Sequence, residues 1–149
     1  EQSAAETFIA NYFAKYAEVD HYFHRLLTEC VKTGYVTTIL GRRRAIEGIR
    51  NTTGRQRNLA ERTAMNAAIQ GSAADLIKQA MLHVWRRLER EGHPGKMLLQ
   101  IHDELVFESP SDRAEQNAAF VRQHMTAAMQ LNVPLEVEVG WGTNWGQTK

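Results

Sequence analysis

Three polar residues, His102-Asp103-Glu104, stand between two apolar runs, Met97-Leu98-Leu99 with Ile101 before them and Leu105-Val106-Phe107 after them. A tight turn there would lift the polar side chains to the rim of a sheet while the apolar arms anchor them. Adjacent carboxylates are hard oxygen ligands suited to Mg²⁺, and two Mg²⁺ ions about 4 Å apart drive in-line phosphoryl displacement. The ordinary alternative is a turn that is polar because water surrounds it. A second constellation is Arg62, Asn66 and Gln70, at i, i+4 and i+8, which fall along one face of a helix. These side chains reach base edges and sugars, and minor-groove acceptors recur in every base pair, so such a row could check pair shape without reading sequence. The same spacing equally describes the wet face of an amphipathic helix.

Charge is unevenly distributed. The formal net charge is +1, yet between Gly41 and Arg62 seven arginines (Arg42, Arg43, Arg44, Arg50, Arg55, Arg57 and Arg62) face only Glu47 and Glu61. From Asp103 to Lys149 the sign reverses, with seven acids against Arg113, Arg122 and Lys149. An all-arginine cluster suits phosphate oxygens, because guanidinium pairs bidentately and stays charged, and it gives affinity for nucleic acid that falls with salt. A solvated loop is the plainer reading. His21, His24 and Cys30 have the residue types of a zinc site, but their spacing matches no standard one and leaves a ligand short. Trp141 and Trp145 read as packing residues. No Walker loop or dinucleotide fingerprint is present.

The elements that must position these groups read as follows. Helical spacing predicts helices over Glu1–Ala17 and Val19–Thr33, the second stopped by Gly34. Tyr35–Leu40 and Arg42–Ile46 read as strands joined by a turn at Gly41, and Glu47–Arg55 as a loop. Gln56–Glu91 is the longest helical stretch, with a kink or junction expected at Gly71-Ser72. Two short strands follow around the polar triplet, then a helix capped by Ser111 or Asp112 and running to about Leu131. A last strand is expected over Leu135–Val139, where Leu135, Val137 and Val139 alternate with Glu136 and Glu138. The predicted class is α+β, an antiparallel sheet backed by helices.

A chain of 149 residues with 43% apolar and 23% charged residues and only three prolines fits one domain of ordinary size. It does not fit a disordered tail or a fibre. The single cysteine, Cys30, suits a reducing compartment. No stretch approaches the roughly 18 apolar residues of a membrane helix, so no membrane partner is expected. No basic-then-apolar leader is visible. The first residue is Glu1 rather than methionine, so the expectation is either that something was removed or that this is a piece of a longer chain.

Three stretches together resemble the C-terminal part of family A DNA polymerases, the family of bacterial DNA polymerase I. They are Gly34-Tyr35-Val36-Thr37-Thr38-Ile39-Leu40-Gly41-Arg42-Arg43-Arg44, then Ala60-Glu61-Arg62 through Asn66 to Gln70-Gly71-Ser72-Ala73-Ala74-Asp75, then Gln100-Ile101-His102-Asp103-Glu104-Leu105-Val106-Phe107-Glu108, similar to the family's motif C. They occur in family order over nearly the whole chain. The resemblance implies a polymerase palm, its C-terminal half, with residues 1–70 including fingers-side helices and the arginine-rich hairpin, and no complete second domain.

It also implies roles. Asp103 would be one of two catalytic aspartates holding two Mg²⁺ ions, and Glu104 a neighbouring active-site carboxylate. His102 would contact the primer strand, Arg62, Asn66 and Gln70 would track the minor groove, and Arg42 and Arg43 would give general nucleic-acid contact. Gly71 would mark a helix junction. The implied partners are primer–template DNA, deoxynucleoside triphosphates and an upstream part of the polymerase carrying motifs A and B, which these residues lack; the implied location is the bacterial cytoplasm, at the nucleoid. Two departures stand out. Ala68 replaces the family's usual proline, and Ala45-Ile46-Glu47 follows the triple arginine where an aromatic residue and a proline are frequent. On this reading the intact enzyme extends primers and the 149 residues alone do not. The rival readings are a non-catalytic DNA-binding module derived from a polymerase and, less well supported, a metal-dependent nuclease.

Overall fold

The computed structural model describes residues 2–148. Glu1, where the first helix was expected to begin, lies outside them. The chain divides into two compact units, residues 1–72 and 73–149.

In the first unit, helices α1 (Gln2–Lys15) and α2 (Ala17–Thr33) meet at Tyr16. Gly34 ends α2 with φ of +84°, a left-handed conformation that a side chain would strain, and its N–H donates to the Cys30 carbonyl at 2.7 Å. The chain then enters an antiparallel hairpin, β1 (Tyr35–Thr37) and β2 (Arg43–Ala45), in register Tyr35↔Ala45 and Val36↔Arg44. Both strands are shorter than expected. Ile39 and Leu40 sit in the turn, where the Gly41 N–H donates to the Thr38 carbonyl at 2.8 Å. Helix α3 (Gly54–Glu91) then starts. Its buried stripe is Ala60, Ala64, Ala67 and Ala68, small enough for Cys30, Val36, Ile46 and Ile49 to close against it. Leu26, Leu27 and Val31 of α2 pack against the same core.

The expected junction at Gly71-Ser72 is not there. The α3 helix runs on for 38 residues without interruption. Ala68, unlike a proline, supplies a backbone N–H to the helical ladder, and it is 1% exposed. Gly71 is required by a close approach instead: a Cβ there would lie 2.6 Å from Cγ2 of Thr38.

In the second unit, the later turns of α3 contribute Val84 and Leu88 to a core with Val121. Strands β3 (Lys96–Ile101) and β4 (Glu104–Glu108) form a second, separate antiparallel hairpin, and Met97 and Phe107 pack onto that core. The register jumps from Met97↔Phe107 to Leu99↔Val106, so Leu98 is an extra, bulged residue. Helix α4 (Ala114–Thr126) follows a short 3₁₀ turn over Ser111–Arg113. Neither Ser111 nor Asp112 caps it; Arg113 precedes its first residue and makes no side-chain cap. It also ends five residues earlier than expected. The Thr126 hydroxyl donates to the carbonyls of Arg122 and Gln123, both at 3.0 Å, and the Ala128 N–H turns back to Met125 at 3.1 Å, tightening the last turn.

The strand expected over Leu135–Val139 does not form. Its alternation survives in burial, with Leu135, Val137 and Val139 half-buried and both glutamates exposed, but no strand among the described residues pairs with it. Alternation decides which face is buried, whereas a strand also needs a neighbour for its N–H and C=O groups. The α+β class with antiparallel pairing holds.

Candidate nucleic-acid interface and carboxylate turn

On α3 in the first unit, Arg62, Asn66 and Gln70 are all exposed. The buried row Ala60, Ala64 and Ala68 is offset from them by two residues, about 200° around the helix. The alanine side therefore locks the helix to the core and turns the polar row outward. On the β1–β2 hairpin, Arg42, Arg43 and Arg44 are exposed as well. The Arg43 guanidinium lies over the Tyr35 ring, 4.9 Å from its centroid. That stacking orders the side chain while leaving its charge accessible.

The arginine cluster is only partly a surface for anions. Arg50 donates from Nε to the Val31 carbonyl at 3.0 Å and from a terminal nitrogen to the Lys32 carbonyl, satisfying the last carbonyls of α2. Arg57 donates to the Ile49 carbonyl and, from Nε, to Oε1 of Glu61 at 2.6 Å. These two arginines hold the loop between β2 and α3 to its surroundings. Charge counting along the sequence could not separate them from the others. They also sit near the Cys30 thiol, which burial pushes up while the Arg57 and Arg50 charges pull against that rise.

A third feature of this unit was not anticipated. The Ser72 hydroxyl accepts the Ile39 N–H at 2.9 Å and donates to the Ala68 carbonyl at 2.7 Å. The hairpin tip is thus tied to α3 one residue beyond Gly71. The signal that pointed there was the Gly-Ser pair in the helix, read as a break.

In the second unit, His102 and Asp103 form the two-residue turn between β3 and β4, flanked by the pair Ile101↔Glu104. His102, Asp103 and Glu104 are all exposed. His102 has φ of +53°, a left-handed conformation unusual for a residue with a side chain. Its carbonyl accepts a hydrogen bond from Nε2 of Gln100 at 2.8 Å, which braces the strained turn. Neither the strain nor the brace was visible in the sequence, where the turn was simply polar. The bulge at Leu98 shifts the phase of β3 just before this turn, a placement typical of strands that re-aim functional side chains.

The two carboxylates fit a hard divalent cation by donor type and access. Among the described residues no group of three or more histidines, cysteines or acids converges on a common point. Two carboxylates alone fall short of such a group. The histidines near Cys30 do not assemble with them. His21 faces Glu18 at 3.3 Å, His24 faces Asp20 at 3.6 Å, and Cys30 is fully buried in the core. Trp141 and Trp145, expected to pack, are 53% and 49% exposed. Asp75, the last residue of the second matching stretch, is 1% exposed and so belongs to the interior rather than to a surface for DNA.

These features define an α+β protein with an exposed polar helix row and an acidic hairpin turn. A family model described as DNA polymerase family A matches residues 1–147, and the chain belongs to that family. It is 46% identical over 145 residues to DNA polymerase I of Deinococcus radiodurans, covering 97% of this chain and 15% of that protein. To DNA polymerase I of Geobacillus stearothermophilus it is 43% identical over 148 residues, covering 99% of this chain and 17% of the relative. The polymerase domain of Pol1 from M. smegmatis, solved in complex with DNA primer–template and dNTP, superimposes with a TM-score of 0.91 at 39% identity, covering 99% of this chain and 26% of that one. The chain thus spans about a sixth of the length of these curated relatives. No helix of the described residues is long and apolar enough to cross a membrane.

Proposed function

We propose that these residues form the C-terminal part of the polymerase palm, with fingers-side helices and the arginine hairpin in residues 1–70, in an enzyme that extends a DNA primer on a template. The observation that carries this reading is the exposed Asp103-Glu104 pair on a braced, strained turn, kept in a chain that belongs to a polymerase family. A pure DNA-binding module has no use for that pair. Asp103 is the metal ligand, Glu104 the neighbouring acid, and His102 a contact for the primer strand. When bound, Mg²⁺ supplies a Lewis acid for the displacement that joins a nucleotide to the primer 3′ end and releases pyrophosphate. The residues of this chain hold and orient. Arg62, Asn66 and Gln70 line the minor groove of the new duplex, while Arg42 and Arg43 neutralise backbone phosphate. The remaining ligands and the nucleotide site come from sequence that the longer relatives have and these 149 residues do not.

The 149-residue chain is expected to bind primer–template DNA with an affinity that falls as salt rises, and not to extend it. Arg43→Ala should lower the slope of log affinity against log salt by about one. Absence of salt-dependent binding, or primer extension by the chain alone with Mg²⁺, would contradict this reading.

A further inference from the structure

The tip of the arginine hairpin is joined to α3 by two contacts that use backbone or short side chains, one at Ser72 and one at Gly71. The Ile39 N–H donates to Ser72 Oγ at 2.9 Å, and Ser72 Oγ donates to the Ala68 carbonyl at 2.7 Å. Thr38 lies over Gly71, so close that a Cβ at 71 would be 2.6 Å from its Cγ2. Thr38 in turn fixes Arg42 in both directions. Its Oγ1 accepts the Arg42 N–H at 3.1 Å and its own N–H donates to the Arg42 carbonyl at 2.9 Å. The first arginine of the basic run is therefore bonded to the residue that touches Gly71, and Gly71 follows Gln70, the last member of the polar row. Thr38 is β-branched and its hydroxyl is engaged, so it cannot turn its methyl aside without breaking the Arg42 bond.

We infer that Gly71 and Ser72 are positioning residues: together they clamp the arginine hairpin onto α3, so that Arg42 and Arg43 and the row Arg62, Asn66 and Gln70 present one rigid surface to DNA. The inference rests on the reading of that surface as a DNA contact. The glycine permits the approach and the serine fixes it, satisfying an amide in a turn that has no ladder partner there. Neither residue needs to touch DNA. Both act by removing the freedom of the hairpin tip, which would otherwise have to be ordered when DNA binds.

The test is a salt titration of primer–template binding by the 149-residue chain, with circular dichroism and thermal melting alongside. Ser72→Ala should weaken binding about 3–10-fold at low salt and flatten the salt slope by about one, as if a phosphate contact were lost. Ser72→Thr, which keeps the hydroxyl, should restore both. Gly71→Ala is the independent probe. It keeps both hydrogen-bonding groups and favours the helix itself, so helicity should hold while the slope falls as in Ser72→Ala. In a chain already carrying Arg42→Ala and Arg43→Ala, the Ser72→Ala change should have no further effect on the slope. If the unaltered chain binds with a salt slope that Arg43→Ala reduces, yet Ser72→Ala and Gly71→Ala leave the slope unchanged, the clamp is overturned and the DNA-contact reading stands. If the unaltered chain shows no salt-dependent binding, the DNA-contact reading fails and the clamp with it.

Discussion

Arg50 and Arg57 direct their guanidinium donors to the backbone carbonyls of Val31, Lys32 and Ile49, whereas Arg42, Arg43 and Arg62 lie exposed on the hairpin and the helix row. The same residue type thus serves folding at two positions and, on the proposed reading, DNA at three. Arg57→Ala is expected to lower stability by about 1–2 kcal/mol, because the Ile49 carbonyl and Glu61 lose a charged donor. The salt slope of DNA binding should change little. Arg43→Ala should do the reverse, leaving the melting temperature within a degree or two and reducing the slope. Denaturant melts and salt titrations on the two variants separate the roles; equal loss of slope in both would place Arg57 on the binding surface. At this scale the sequence disclosed residue types and spacing. The i, i+4, i+8 row is a geometric consequence of the helix, so Arg62, Asn66 and Gln70 were readable as one face. Partner choice was not readable, because Arg50 finds its carbonyls 18 and 19 residues away. The left-handed His102 was equally hidden: histidine is enriched at positive φ, but most histidines do not adopt it, so residue type alone does not mark the turn.

Among the described residues, α2, α3 and α4 send apolar stripes that follow from their periodicity into the cores, whereas Phe8, Ile9 and Tyr12 of α1 stay exposed. The element that failed to appear, the strand over Leu135–Val139, shows what periodicity omits. It specifies faces but not a hydrogen-bonding neighbour. Gly71 taught a related lesson: a glycine in a helix was read as a break, whereas it marks the site where another chain segment touches the helix surface.

Where α3 and α4 pack, His83, His93, Phe120 and His124 form a ring cluster. His93 stacks on Phe120 with centroids 4.1 Å apart, and His124 meets the Phe120 edge at 4.4 Å. Burial chiefly, then the charges of His83, Arg87 and His93, hold the His124 imidazole below its ordinary value, with Glu91 opposing. The folded state therefore disfavours the proton that the unfolded chain takes up near pH 6.5. The stabilisation is present above that pH and is lost as pH falls through about 6.5 toward the lower folded value. The melting temperature should drop between pH 7.5 and 5.5, and His124→Gln should make that drop smaller. A drop of the same size in the variant would assign the acid sensitivity elsewhere.

Across the whole molecule, each unit leaves large apolar side chains in the open: Phe8, Ile9 and Leu59 in the first, Leu98, Trp85 and Trp141 in the second, the most open of them Phe8 at 72%. The curated relatives are about six times as long. Both facts suit residues that belong within a longer chain. The family was legible from three motifs in order because motif residues are local in sequence.

The most direct measurement is primer extension by a chimera in which this chain replaces the matching C-terminal segment of the Geobacillus stearothermophilus relative. The chimera should extend a primer with Mg²⁺, and Asp103→Asn in it should reduce the rate about 10³-fold or more, as expected when a metal-holding carboxylate is lost. DNA binding should stay close to that of the parent chimera. Extension at an undiminished rate with Asp103→Asn would contradict the assignment of the hairpin turn as the metal-binding part of a polymerase site.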